Sequence, residues 1–394
     1  MSVTPSPARP GALDGLRVLD LSRVLAGPWA SQMLADLGAD VIKVERPGAG
    51  DDTRAWGPPW VDAEPAGGDS AYHACANRNK RSMAVDLTTE DGRALVRRLA
   101  ERADVVIENY KVGGLAAWGL DAATLRAINP RLIYCSITGF GQDGPYATRP
   151  GYDAMVQAMG GLMSLTGRPD SEPGGGPQKV GVALTDVLTG LHAVIAILAA
   201  LRHRETSGRG QSIDLALLDV QVACLANQAA NFLIGGMVPQ RMGNAHPNIA
   251  PYQDVPTADG AMMLAVGNDG QFARFCACAG HPEWSRDPRF ATNPLRVRNR
   301  AALMPLIESA TRTKPTREWV VALEDAGVPC GPINRLDAVF ADPQVIARGL
   351  RVDVDGVPGV ASPLRLSETP VTYRRRAPRL DEHHAEILAD WLGE

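Results

Sequence analysis

The chain has 394 residues, 45% of them hydrophobic and 21% charged, with a formal net charge of −4. That profile belongs to a folded protein of two or three domains and excludes a disordered chain or a small scaffold that needs staples. The slight acidity excludes a global pull toward nucleic acid or an anionic membrane, so an anionic ligand must be held by a local group of cations.

The opening MSVTPSPARPG lacks an apolar core, so no secretory signal is expected and the protein reads as cytoplasmic. LRVLDL (Leu16–Leu21) then reads as a strand, followed by a helix that starts near Pro28 and stops at Gly38. ADVIKVE (Ala39–Glu45) is a second strand, which makes a β-α-β unit with a parallel, right-handed crossover. The strands MAVDL (Met83–Leu87), ADVVIEN (Ala103–Asn109), RLIYCSI (Arg131–Ile137) and QSIDLAL (Gln211–Leu217) extend the theme. An open α/β sheet is expected, with ligand at the carboxyl ends of its strands. No GxGxxG follows the first strand; Ala26-Gly27-Pro28 stands there instead, and GxxxxGK[ST] is absent. Dinucleotide binding and nucleotide hydrolysis lose their best evidence.

Val180–His203 reads as a long helix. Its apolar run, Val187–Leu201, falls short of the roughly 20 residues a membrane span needs, so a core helix is expected. Another helix runs on from Leu218. Gly235–Gly260, rich in Gly, Pro and Asn, marks a boundary. A second unit starts at AMMLAVG (Ala261–Gly267), with helices near Gln271–Ala279, Arg300–Thr311 and Thr316–Ala326. The expected domains are 1–230, 231–345, and a return segment, 346–394, that packs on the first. None of the six cysteines has CxxC or Cys/His metal spacing, so they read as reduced packing thiols.

Cations gather near the strand ends: Arg46 and Arg54 after the second strand, Lys111 after Asn109-Tyr110, and Arg78, Lys80 and Arg81 ahead of MAVDL. Together they suit a phosphate-bearing ligand with a planar part; singly, each reads equally as a solvated loop charge. Two acids stand before apolar helical runs, Asp153 and Asp186. Each is either a helix cap or a working carboxylate. A nucleophilic carboxylate needs dry surroundings and donors for a developing oxyanion, and a helix start offers N–H groups.

VLDLSRVLAGPWASQMLADLGADVIKVERPGAGD, NRNKRSMAVDL, ADVVIENY, NPRLIYCSITGFGQDGP, ALTDVLTGLHAVIAILAAL, SGRGQSIDLALLD, RMGNAHPNIAPYQ, AGVPCGPIN and EHHAEIL appear in that order. Together they make a chain that resembles the family III CoA-transferases, the CaiB/BaiF family, over nearly its whole length. The resemblance implies a Rossmann-like large domain with a smaller α/β domain, in homodimers whose two ring-like chains interlock. It also implies that Asp186, in ALTDVLTG, is a nucleophile that attacks an acyl-CoA thioester. The path runs through an aspartyl-acyl anhydride and an aspartyl-CoA thioester to an acceptor carboxylate, with neither ATP nor metal required. Coenzyme A enters as substrate rather than as a prosthetic group. By the same matching, Asp153 is a second active-site acid and Arg46 contacts CoA. Val85 lies near the adenine, Asn109 and Tyr110 lie along the pantetheine, and Arg149 adjoins a position that meets the CoA phosphates.

Two departures bear on substrate. Leu25 stands where formyl-CoA transferases carry Gln before AGP, and their run of glycines over the active site is missing. A larger acyl group, or a dicarboxylate such as succinate, is expected rather than formate and oxalate. The rival reading within the same fold is an α-methylacyl-CoA racemase. That family reads Gly-His-Asp where this chain has Gly151-Tyr152-Asp153, which argues against the exchange of a proton between two groups. A CoA-binding subunit without catalysis is the third reading, and the presence of Asp186 counts against it.

Overall fold

A computed structural model describes residues 10–61 and 68–394 of the chain. Six strands form one parallel sheet: β1 (Arg17–Asp20), β2 (Asp40–Glu45), β3 (Lys80–Ala84), β4 (Val105–Glu108), β5 (Ile133–Thr138) and β6 (Ser212–Ala216). Their order is β3-β2-β1-β4-β5-β6. The direction of winding therefore reverses between β1 and β4, and a crevice opens at their carboxyl ends, where α/β sheets bind ligands.

Both faces of the sheet are covered, as parallel sheets require. Side chains alternate along each strand, so neighbours feed opposite cores. Val18, Val41 and Val105 enter the core shared with helix α1 (Ala26–Asp36) and the long helix Leu184–Ser207. Leu19, Ile42 and Val106 enter the other, with Leu99, Leu125 and Trp391. The long helix runs for 24 residues, well past its apolar stretch and long enough by length and composition to cross a bilayer. Thr189, Ala193, Ile197 and Ala200 place its buried side against the sheet.

The structure starts the third strand at Lys80, earlier than the apolar pattern suggests, and this changes the reading of its cations. Lys80 is fully buried and pairs with Asp20 at 3.2 Å. Arg81 pairs with Asp40, Glu386 and Asp390, and Arg78 with Asp36. None of the three is a loop charge waiting for a phosphate; each joins one part of the large unit to another.

The chain forms two compact units, one of residues 1–162, 180–230 and 343–394, the other of residues 163–179 and 231–342. In the first, the 343–394 segment carries the hairpin Arg351–Val354 and Val357–Val360, and ends with Ile387 and Trp391 in the sheet's core. The second holds an antiparallel sheet of Tyr252–Pro256, Ala261–Ala265 and Cys330–Pro332, packed on Phe272, Phe275, Leu303 and Trp319.

The turn from β1 into α1 is tight for identifiable reasons. A Cβ on Gly27 would sit 2.2 Å from the Ser22 hydroxyl, so only glycine lets the helix fold back on the strand end. Val24 has a φ of 71°, a left-handed conformation that costs a β-branched residue about 1–3 kcal/mol. On the long helix, a Cβ on Gly190 would meet the Ala26 carbonyl oxygen at 2.8 Å and Trp29 at 3.0 Å. That glycine lies one turn beyond Asp186 and sets how close the helix carrying it comes to the start of α1. Gly190→Ala is expected to lower stability by about 1–3 kcal/mol in urea denaturation, because backbone must move to admit the methyl group.

Candidate active site

Asp186 is the third residue of the long helix, and the helix start is built in an unusual way. Its N-cap residue is Ala183, which has no side-chain acceptor to offer. The cap comes from another element: Asp153, first residue of the helix Asp153–Met159, accepts from Thr185 N at 2.9 Å and Asp186 N at 3.3 Å through Oδ2. Its Oδ1 accepts from Gln157 Nε2 at 2.7 Å, and Gln157 in turn accepts from Val180 N at 2.9 Å. Asp153 reaches this place because two glycines touch. A Cβ on Gly139, after β5, would lie 2.6 Å from the Gly151 Cα. The choice between cap and working carboxylate is thus divided between two aspartates. Asp153 caps; Asp186 accepts no side-chain hydrogen bond from the described residues.

This arrangement also corrects one expectation. The helix start has no N–H to spare for an oxyanion: Asp153 takes those of Thr185 and Asp186, Val187 N donates to Ala183 O, and Leu184 N to Val182 O. What the helix start supplies instead is a fixed backbone under Asp186.

Asp186 is 9% exposed, and that small opening faces a cavity at the carboxyl ends of β1, β4 and β5. Burial first, and then the negative charge of Asp153, push its carboxyl up from 3.8 to about 7. Arg23, Asn109, Tyr110, Lys111 and Arg149 line the same cavity. Lys111 and Arg149 have no carboxylate partner among the described residues; Arg149 stacks over Tyr146 at 4.5 Å and Phe140 at 5.7 Å. Arg23 lies over Tyr110 at 5.5 Å and pairs with Asp52 at 3.3 Å. Two free cations near a buried, unpaired carboxylate make a site for an anionic ligand whose reactive end is brought into dry surroundings.

The residues singled out in the sequence are thus partly gathered here. Asp186, Asn109, Tyr110 and Arg149 line the cavity. Arg46 stands behind it, bound to Asp52 Oδ1 at 2.7 Å and Gly50 O at 3.1 Å. Asn109 uses its amide on the loop after β1, accepting from Arg23 N at 2.9 Å and donating to Arg23 O at 2.7 Å. Val85 is 5% exposed and belongs to the sheet's core, outside the cavity lining. Asp153 is also outside the lining and reaches Asp186 through backbone.

The reading from sequence missed Asp52, which pairs with both Arg23 and Arg46. It missed Tyr72, whose phenol is held up at about 12 by burial and then by the Asp186 charge, and so stays a neutral O–H group. It also missed Lys43, 0% exposed, and Asp51, 1% exposed, which pair at 2.9 Å beneath the site. A charged residue inside an otherwise apolar parallel strand, as in VIKVE, was the available signal.

The sequence model of CoA-transferase family III matches residues 13–384. The chain belongs to that family. A succinate–glutarate CoA-transferase of Agrobacterium fabrum is 55% identical, over 98% of each chain. The human succinyl-CoA:glutarate CoA-transferase is 45% identical, over 96% of this chain and 86% of that one. Among solved structures, a CaiB/BaiF family protein from Brucella suis shares 55% identity with a TM-score of 0.87, covering 97% of this chain and all 100% of that one. Rv3272 from Mycobacterium tuberculosis shares 34% with a TM-score of 0.85, over 96% and 99%. The protein is therefore a CoA-transferase.

The raised Asp186 has a stability consequence of definite sign. Its carboxyl holds its proton more tightly folded than unfolded, so stability is full below about pH 4 and falls as pH rises through about 7. Asp186→Asn is expected to raise Tm at pH 8, by up to about 4 kcal/mol of stability, with no gain at pH 4. Asp153→Asn, which keeps an acceptor but removes the charge, is expected to move the acid limb of the kcat profile to lower pH. An unmoved limb would show that Asp153 does not set the Asp186 proton affinity.

Proposed function

We propose that this transferase passes CoA between succinyl-CoA and a second dicarboxylate such as glutarate, with Asp186 as nucleophile. One observation carries the reading: among the described residues, a buried carboxylate without a hydrogen-bonded partner faces a cavity lined by two cations that have no carboxylate partner. The names of the two relatives described above support the choice of dicarboxylates. Leu25 in the cavity wall gives an apolar surface for a methylene chain.

In this reading an Asp186 oxygen attacks the thioester carbonyl of succinyl-CoA, the C–S bond breaks, and CoA thiolate leaves. The product is a mixed anhydride of Asp186 and succinate. Thiolate then attacks the Asp186 Cγ, which forms an aspartyl-CoA thioester and releases succinate. Glutarate attacks the same carbon and expels thiolate, which closes the cycle by attacking the glutaryl carbonyl and freeing Asp186. No net proton moves, and each thioester broken is replaced by another, so the exchange is nearly thermoneutral. A carboxylate of pKa about 7 is a better nucleophile than an ordinary aspartate once ionised. Lys111 and Arg149 are the side chains placed to meet the CoA phosphates, with Tyr110 beside the pantetheine arm. Dry walls keep water from the anhydride.

Racemisation needs two groups on opposite sides of one carbon. Asp153 spends its oxygens on the helix start and Gln157, which leaves that arrangement without its second member. The proposed assembly is the interlocked homodimer. Leu233, Ile234, Met237 and Val238 support it, being 65–89% exposed in one run of chain.

The test joins a product assay to a trap. Succinyl-CoA with glutarate is expected to yield glutaryl-CoA, and Asp186→Ala to lose at least about a thousandfold in kcat while still binding CoA. Hydroxylamine added after succinyl-CoA is expected to leave a mass shift on the peptide containing Asp186. Transfer at normal speed in the alanine variant, or a shift on another peptide, would reject Asp186 as the nucleophile.

A further inference from the structure

The loop between β1 and α1, residues Ser22–Leu25, forms one wall of the cavity through Arg23, Val24 and Leu25. Four of its backbone groups, Ser22 O, Arg23 N, Arg23 O and Val24 N, are held from elsewhere. Lys43 Nζ donates to Ser22 O at 2.9 Å, and Asn109 brackets Arg23 N and O. Val24 N, on the residue with left-handed φ, donates to both oxygens of Asp51, at 3.3 and 3.2 Å. Asp51 is itself fixed by Lys43 Nζ at 2.9 Å, Thr53 N at 3.0 Å and Thr53 Oγ1 at 2.9 Å, and its own N–H donates to Glu45 Oε2 at 2.9 Å.

Glycine would adopt the Val24 conformation without strain. Valine there keeps a branched side chain in the cavity wall, at the expense of a backbone that must be held. We infer that the buried Lys43–Asp51 pair is a positioning device for acyl-CoA binding: it clamps Val24 in its strained conformation and so fixes the cavity wall that Arg23, Val24 and Leu25 form. The inference rests on the reading of this cavity as the acyl-CoA site. The clamp acts on the wall, whereas Asp186 is carried by the long helix. Loosening the clamp therefore acts chiefly on binding. Asp51 touches no substrate; it acts through Val24.

Steady-state kinetics with succinyl-CoA and glutarate test this. Asp51→Asn is expected to raise KM for succinyl-CoA about tenfold and to change kcat less than about threefold. Adding Val24→Gly to that variant is expected to bring KM back toward the wild-type value, because glycine takes up the loop conformation unaided. Val24→Gly alone measures what the lost side chain contributes. If Asp51 served only to stabilise the fold, a glycine at position 24 would not restore KM. Should Asp51→Asn fail to fold, Thr53→Val removes one bond to Asp51 and leaves the ion pair; KM is then expected to rise about threefold. A KM within twofold of wild type in every folded variant, or no recovery in the double variant, overturns the inference. Absence of transfer in the wild-type enzyme would instead overturn the substrate reading itself.

Discussion

Beneath the carboxyl end of the sheet, two lysines without solvent contact share their charge with two buried aspartates. Lys80 pairs with Asp20, and Lys43 with Asp51. Breaking one side of such a pair leaves a stranded ion and costs about 3–5 kcal/mol, so the geometry is close to all-or-none. Asp20 adds bonds from Ser22 and Ser31, and Lys80 reaches the carbonyl of Pro28 and the amide of Asn77. Strand end, turn and first helix are thereby tied to one set of charges. Burial pulls the Lys80 proton affinity down to about 8, against the pull of Asp20, while Lys43 and Asp51 hold each other charged.

Placed over this foundation, Asp186 is treated in the opposite way. Among the described residues it has no ion-pair or hydrogen-bond partner for its carboxylate, and a second carboxylate, Asp153, adds its charge. The same low-polarity surroundings that strengthen the paired ions make this one a stronger base than an ordinary aspartate. The difference is achieved by backbone placement rather than by residue type. Asp153 accepts two N–H groups and, in doing so, brings its charge close to Asp186. Gly190 and the contact between Gly139 and Gly151 let the elements approach closely enough for that to happen.

Much of this was legible in the sequence. Short apolar stretches between turns placed five of the six parallel strands within a few residues. Asp186 stood out because a lone acid at the head of an apolar helix requires a reason. What could not be read were pairings across the fold. RNKRS looks like a basic loop unless Asp36, Asp20 and Asp40 are known to face Arg78, Lys80 and Arg81. Asp153 looks like the cap of its own helix, whereas it caps another one 32 residues further on. Val85 sits at a strand end, where ligands bind, but its side chain turns to the core because strand direction alternates. The strain at Val24 has no sequence signature, since valine is a residue that usually avoids it.

The large unit is assembled from three stretches of chain, and the third supplies parts of its interior. Trp391 donates to Asp40, and Arg81 finds two of its three acidic partners at Glu386 and Asp390. On the ribosome, the first two stretches emerge long before residues 384–391 exist. Until those residues arrive, Arg81 is short of partners and the sheet's apolar face lies open along β3. The nascent chain must therefore wait in an incomplete state through synthesis of the whole smaller unit, a period in which chaperone binding would be most useful.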